Sequence, residues 1–250
     1  MTSQTIFISD LHLSEQETQL NKLFFQSLDE WKGRIDALYI LGDFFDAWVG
    51  DDDSSPFIDS ICTALKSFTE KTPVYLLHGN RDFLLGEQFE KASGVTLLPE
   101  QYVAELYGQA YLFVHGDELC TDDLPYQQFR LQARHPVWQA GVLAKTLAER
   151  KMMAEQIRQM SEVSKTAEGK SQMSDATEEG IQALLQQYFA HHSQTPILIH
   201  GHTHRPDVHE HLVNGQTIKR YVLQDWYGNE GGYLSLNSQG EINVHKISIA

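Results

Sequence analysis

Thr5-Ile6-Phe7-Ile8-Ser9 runs straight into Asp10-Leu11-His12, and this stretch decides the fold. A short β-branched and aromatic run bounded by polar residues reads as a buried strand. Residues i and i+2 at the end of a strand project to the same side. Asp10 and His12 can therefore offer a carboxylate oxygen and an imidazole nitrogen to one cation. The same arrangement recurs four times. Ala37–Leu41 leads into Gly42-Asp43, and Val74–Leu77 into His78-Gly79-Asn80-Arg81-Asp82. Tyr111–Val114 leads into His115-Gly116-Asp117, and Ile197–Ile199 into His200-Gly201-His202-Thr203-His204.

Between the early runs lie helical patterns. Leu20, Leu23, Phe24, Ser27 and Leu28 share one face, as do Ile58, Ile61, Cys62 and Leu65. Strand and helix in alternation specify an α/β layered fold. Ligands in such folds gather beyond the carboxyl ends of the strands, so all five clusters can meet in one place. Tyr221–Leu223, Gly232–Leu236 and Ile242–Ile247 read as closing strands, His200 as part of a strand end, and His209 and His211 as surface residues.

From Leu124 to His192 the strand rhythm stops. Trp138, Val142, Leu143, Leu147, Met152, Met153, Ile157 and Met160 trace amphipathic helix, Lys165–Ser174 a polar loop, and Ile181, Leu184, Leu185, Tyr188 and Phe189 a further helix. The expected division is a core of residues 1–123 and 193–250 with residues 124–192 inserted as a helical cap. A length of 250 residues accommodates that arrangement.

Composition narrows the function. Hydrophobic residues make up 41% and charged residues 21%, ordinary for a soluble globular protein. No apolar run reaches the ~20 residues of a membrane span, and Met1–Ile6 lacks a secretory pattern. Cytoplasmic residence is expected, and Cys62 and Cys120 alone make no disulfide framework. The formal charge of −15 is a poor footprint for a nucleic-acid binder. Residues 124–172 nevertheless hold eight Lys/Arg against four acids, which fits either a solvated helix face or a surface for an anionic partner.

Each motif alone has a bland reading: a surface Asp and His near a turn, an Asp opening a turn, an Arg81–Asp82 surface salt bridge, or a buried histidine. The ordered set, each member after a buried strand, is what chance does not supply. It resembles the calcineurin-like metallophosphoesterase superfamily over Asp10–His204. That resemblance implies two packed mixed sheets flanked by helices. It also implies two divalent metal ions, one held by Asp10, His12, Asp43 and His204, the other by Asp43, Asn80, His115 and His202, with Asp43 as the bridge. Asp117 is read as orienting His115 from behind.

Many superfamily members have a histidine where this chain has Arg81. Arginine there resembles one branch, the UDP-2,3-diacylglucosamine hydrolases of lipid A synthesis. Leu41–Asp53, His78–Gly86, His115–Asp123 and His200–Pro206 fit that branch. The resemblance implies cleavage of the pyrophosphate of UDP-2,3-diacylglucosamine to UMP and 2,3-diacylglucosamine 1-phosphate, with manganese, at the cytoplasmic face of the inner membrane as a peripheral protein. Asp43, Asn80, Arg81 and His202 are the expected catalytic residues, with direct attack by hydroxide. Asn80, Arg81, Asp123, Ser161, Ser164, Lys165, Lys170 and His202 are the expected substrate contacts. The branch has Ser, Asn four residues on and Lys three further on in its cap. Here Ser161 is followed at those steps by Lys165 and Glu168, and Ser164 by Glu168 and Ser171, so this stretch departs from the pattern. The competing readings are a phosphodiesterase for cyclic nucleotides or other small phosphodiesters, and a metal-free interaction module.

Overall fold

The structure, a computed structural model, describes residues 3–167 and 175–249. Four parallel strands, β1 (Gln4–Ile8), β2 (Ala37–Leu41), β3 (Val74–Leu77) and β4 (Thr96–Leu98), are joined by α1 (Thr18–Trp31), α2 (Pro56–Thr69) and α3 (Glu87–Ser93). Antiparallel β10 (Glu230–Asn237) and β11 (Ile242–Ser248) complete a six-stranded sheet ordered β11-β10-β1-β2-β3-β4. The second sheet runs β5-β6-β7-β9-β8, from β5 (Gln101–Leu106), β6 (Gln109–Val114), β7 (Ile197–His200), β9 (Gln216–Val222) and β8 (Val208–Val213).

Side-chain alternation stacks these layers. Ile6, Ile8, Leu38 and Ile40 point to α1 and α2, where Leu23, Phe24, Leu28, Ile61, Leu65 and Phe68 meet them. Phe7, Tyr39 and Leu41 point the other way, against Tyr111, Phe113 and Ile199 of the second sheet. Because β2 is covered on both faces, all five of its residues are buried. Helix α2 starts where its sequence says: Ser55 accepts a bond from the Ile58 N–H and Pro56 takes the first turn. Two hairpins close on two-residue turns with both residues at positive φ, Tyr107-Gly108 and Asn214-Gly215.

The insertion holds α4 (Leu124–Ala133), α5 (Pro136–Leu143), α6 (Leu147–Ala167) and α7 (Glu178–Phe189). Helix α7 lies on the outer face of the second sheet, where Ile181, Leu184, Leu185 and Tyr188 cover Leu112, Val114, Leu198 and Ile218. The expected loop from Lys165 is helical as far as Ala167, and residues 168–174 lie outside the described residues. His211, read as a surface residue, is 9% exposed. It sits on β8, a strand that periodicity did not reveal because its partners toward α7 are charged rather than apolar. No helix among the described residues is long and apolar enough to cross a membrane.

Candidate metal centre

The five site-bearing strands divide between the sheets, three in one and two in the other, and their carboxyl ends converge. Asp10, His12, Asp43, His202 and His204 all adopt positive φ, between 48° and 66°. Each such non-glycine residue costs on the order of 1–3 kcal/mol and persists only where its surroundings over-determine it. Here they do. The Asp10 N–H bonds Gly42 O at 3.1 Å, His12 N–H bonds Asp43 O at 3.0 Å, and Gly201 N–H bonds His115 O at 2.9 Å. Carboxylates add further ties: Arg81 N–H donates to Asp43 Oδ1 (2.8 Å) and His202 N–H to Asp10 Oδ2 (2.9 Å). Glycine is required between them, since a Cβ on Gly79 would lie 2.1 Å from Asp43 N, and one on Gly201 2.1 Å from Asp10 Oδ2.

The donor atoms fall into two groups that share Asp43. His204 Nε2 lies 3.4 Å from Asp10 Oδ1 and 3.5 Å from His12 Nε2, which is 3.9 Å from Asp43 Oδ2. On the other side His115 Nε2 lies 3.6 Å from Asp43 Oδ1 and 3.1 Å from Asn80 Oδ1, which is 2.9 Å from His202 Nδ1. The seven residues singled out in the sequence are thus brought together. Asp10, His12 and His204, and Asp10, Asp43 and His115, form groups able to hold a metal ion.

The chemistry of these donors fits a cation. His115 gives its Nδ1 proton to Leu41 O at 2.8 Å, so Nε2, facing the Asn80 carbonyl oxygen at 3.1 Å, is the ring atom left to hold either a proton or a metal ion between them. Two facing acceptors are stable when they share a positive charge. Asp10 Oδ1 is buried without a hydrogen bond. Burial works against charge on His115, yet Asp43 and Asp10 lift it to about 9. A cluster that holds a proton this firmly is short of positive charge. Burial and the nearby His115 push His202 down to about 4, leaving it a neutral donor.

Supporting residues differ in part from expectation. Asp117 does not orient His115; Leu41 O does. Asp117 instead accepts from Tyr126 Oη (2.5 Å) and Arg130 Nε (2.8 Å) of α4. Asp82 makes no surface salt bridge with Arg81. It is fully buried and ties turns together by accepting from Gly79 N (2.7 Å) and Phe44 N (2.7 Å). Burial and the neighbouring Asp43 raise it to about 6. Asp123 accepts from Tyr126 N at 3.1 Å and so caps α4. The half-buried Arg81 side chain has no hydrogen bond or ion pair among the described residues, leaving its fork available. Ser161, Ser164, Lys165 and Lys170 fall on side chains outside the described residues.

Asp225 escaped the sequence reading. Its Oδ2 lies 3.3 Å from His204 Nδ1, which directs the other ring nitrogen inward. It follows β9 closely, and an acid just past a strand end was the signal available.

The cap reaches the centre directly. The Tyr126 ring stacks over His202 with centroids 6.1 Å apart. Four basic cap residues, read as part of a helix face or anion surface, pair with the core. Arg130 and Arg134 pair with Glu100 and Asp117, and Arg134 also donates to Gly79 O at 2.9 Å. Arg150, 2% exposed, donates to Val49 O at 2.5 Å and pairs with Asp52; Lys151 pairs with Asp53 at 2.8 Å. Apolar cap residues stay open to solvent, with Leu131 at 75%, Val137 at 73% and Met152 at 57% exposure.

Sequence comparison agrees with this geometry. The family model for calcineurin-like phosphoesterases matches residues 4–206. A UDP-2,3-diacylglucosamine hydrolase of Chromobacterium violaceum is 50% identical over 234 residues, covering 94% of this chain and 95% of the relative. One from Escherichia coli is 41% identical over 242 residues, covering 96% and 98%. A solved archaeal phosphodiesterase is 12% identical with a TM-score of 0.48, over 98% of this chain and 99% of its own. The chain belongs to the calcineurin-like phosphoesterases and, within them, to the family of the UDP-2,3-diacylglucosamine hydrolases.

Proposed function

We propose that this chain hydrolyses the pyrophosphate bond of UDP-2,3-diacylglucosamine, giving UMP and 2,3-diacylglucosamine 1-phosphate. One observation carries the reading: two donor groups joined by Asp43 lie directly beneath a cap with exposed apolar side chains. In this reading Asp10, His12, Asp43 and His204 hold one divalent ion, and Asp43, Asn80, His115 and His202 the other. Two divalent ions held there would supply a clamp for in-line displacement and an activated water. Imidazole, carboxylate and amide donors without thiolate suit Mn²⁺.

The protein's own groups account for the rest. Asp43 turns one oxygen to each half-site, and the Arg81 N–H fixes its orientation. The free Arg81 fork reaches for phosphoryl oxygens as charge builds on them. The leaving group of a pyrophosphate is itself a stable phosphate anion. It needs a neighbouring cation more than a proton donor, which is why arginine suffices at this position. Residues 124–167 serve as the cap, with α7 counted with the core that it packs against. The apolar residues of α4–α6 take acyl chains and bring the protein to the inner membrane's cytoplasmic face as a peripheral protein. Those same residues disfavour a small-phosphodiester enzyme, whose substrates have nothing to place there. The intact donor set disfavours a metal-free module.

The test is an assay of the purified protein with Mn²⁺ against UDP-2,3-diacylglucosamine and bis-p-nitrophenyl phosphate, with metal content measured in parallel. Selective turnover of the lipid nucleotide is expected, abolished by chelation and restored by Mn²⁺. Preference for the small diester would reverse the substrate assignment, and full turnover with metal confirmed absent would remove the metal assignment.

A further inference from the structure

A chain of buried polar side chains runs under α7 toward the centre. On β9, Arg220 is 5% exposed, and no carboxylate among the described residues lies in ion-pair range of it. Its Nε donates to His211 Nε2 at 3.0 Å and its Nη1 to His200 Nε2 at 2.9 Å. A guanidinium only donates, so both imidazoles carry their proton on Nδ1. His211 Nδ1–H goes to Glu178 at 2.7 Å, in the first turn of α7. His200 Nδ1–H goes to Gly201 O at 2.8 Å.

The sheet register explains how they meet. Arg220 stands opposite Leu198 of β7 and His209 of β8. His200 and His211 are each two residues further along, on the same face. That face is the one carrying Leu198 and Ile218 beneath α7. Burying a charge here without a carboxylate partner is costly, and packing alone would be served by an apolar residue. What the arrangement does is fix one ring. His200 lies fully buried against the turn after β6, so that a Cβ on Gly116 would sit 2.6 Å from its Nδ1. The adjoining Gly201 N–H bonds His115 O at 2.9 Å. The His200 ring is wedged between the turn carrying His115 and the turn carrying His202.

We propose that Arg220 and His200 are positioning residues for the Asn80–His115–His202 half of the centre, so that their loss weakens one metal position selectively. This rests on the two-metal reading above. Arg220 fixes the tautomer and rotation of His200, and His200 sets the spacing of the two turns. Neither touches substrate or ion. The opposite half has a contact of its own that does not run through His200, Asp225 on His204, and should be weakened less.

The probe is Mn²⁺ alone, titrated into the full-length, metal-stripped protein by calorimetry and followed by electron paramagnetic resonance. The parent should take two ions per chain with a coupled two-ion signal; if it does not, the two-metal reading itself fails. With a two-ion parent, Arg220→Met should keep one ion near parental affinity and bind the other about 10–100-fold more weakly. Its signal should become that of an isolated ion, as in His202→Ala. Arg220→Lys keeps a buried cation and guards against simple misfolding. It cannot reach both imidazoles, and the same selective weakening is expected. A folded variant that melts earlier yet binds both ions as the parent does would overturn the proposal, and so would equal weakening of both ions.

Discussion

At the strand ends, five donor residues sit in left-handed backbone, and backbone N–H groups and carboxylates tie each turn to its neighbour. The cap is held differently. Helices α4 and α6 meet the core through Arg130, Arg134, Arg150 and Lys151, against Glu100, Asp117, Asp52 and Asp53. The turn bonds are buried backbone contacts, whereas the cap's ion pairs range from buried Asp117 to Glu100 and Asp52, which are 38% and 61% exposed, and the more exposed of them break and re-form at modest cost. Segments held by few buried apolar contacts open at lower free energy than a core. Under the proposed function, this contrast would divide the tasks: fixed geometry for the chemistry, and an apolar-faced element for choosing the substrate.

The largest effect should come from the point where both half-sites depend on one side chain. Asp43→Ala should lower kcat/KM by more than about a thousand-fold, ~4 kcal/mol of barrier, and by more than Asp10→Ala does. Circular dichroism should show the fold retained. If Asp43→Ala keeps over about a tenth of the parent rate, Asp43 is no bridge and the turns are less interdependent than their bonds suggest.

Next comes the cap. Replacing residues 124–167 with a short linker, together with Asp117→Asn to avoid stranding a buried carboxylate, should leave Mn²⁺ binding and small-diester hydrolysis largely intact. Turnover of the lipid nucleotide should fall by orders of magnitude. The dependence of kcat/KM on acyl length, near 0.8 kcal/mol per buried methylene, should flatten. A folded replacement that still discriminates acyl length would transfer substrate choice from the cap to the core.

The same contrast explains what sequence could disclose. The turns were legible because each donor follows an apolar strand, and a strand end is a local feature: Asp10, Asp43, Asn80, His115 and His202 stand where alternation stops. Supporting contacts were not legible, since they join residues far apart in sequence. Leu41 O on His115 spans 74 positions and offers only a backbone carbonyl, which no residue type announces. Strand β8 was hidden because its inward His211 pairs with Glu178 and Arg220, replacing apolar alternation with charge. The basic surplus of residues 124–172 was visible, but that Arg130, Arg134, Arg150 and Lys151 pair with Glu100, Asp117, Asp52 and Asp53 is a tertiary fact.

A smaller effect should separate the two latches of α6. Arg150→Met removes a buried guanidinium that bonds Val49 O and Asp52. Two hydrogen bonds involving a charge make the expected loss roughly 3 kcal/mol in urea unfolding. Lys151→Met should cost under about 1 kcal/mol, because that ammonium is half exposed. Equal effects of the two would mean that α6 is held by general charge attraction rather than by the buried contact.

A pH-dependent effect tests the joint between turn and cap. Asp117 Oδ1 and Glu118 Oε1 are both buried and both lack a hydrogen-bond partner. One proton shared between them would satisfy both oxygens. Burial and the Asp117 charge raise Glu118 from 4.5 to about 7, while against burial the nearby His115, Arg130 and Arg134 keep Asp117 well below the usual carboxylate range. Unfolded, Glu118 releases its proton near 4.5; folded, it keeps that proton until about 7. Between those values the unfolded chain binds fewer protons than the fold, so stability falls as pH rises through this window and is level on either side. Glu118→Gln puts a permanent donor where the proton sat and removes this dependence. Relative to the parent, the variant should gain about 2 kcal/mol between pH 5 and pH 7 in urea unfolding. Every other titrating group is common to both proteins and cancels in the difference. A stability difference that stays constant across that range would show that no proton is shared there, and that Asp117 holds α4 through Tyr126, Arg130 and Arg134 without it.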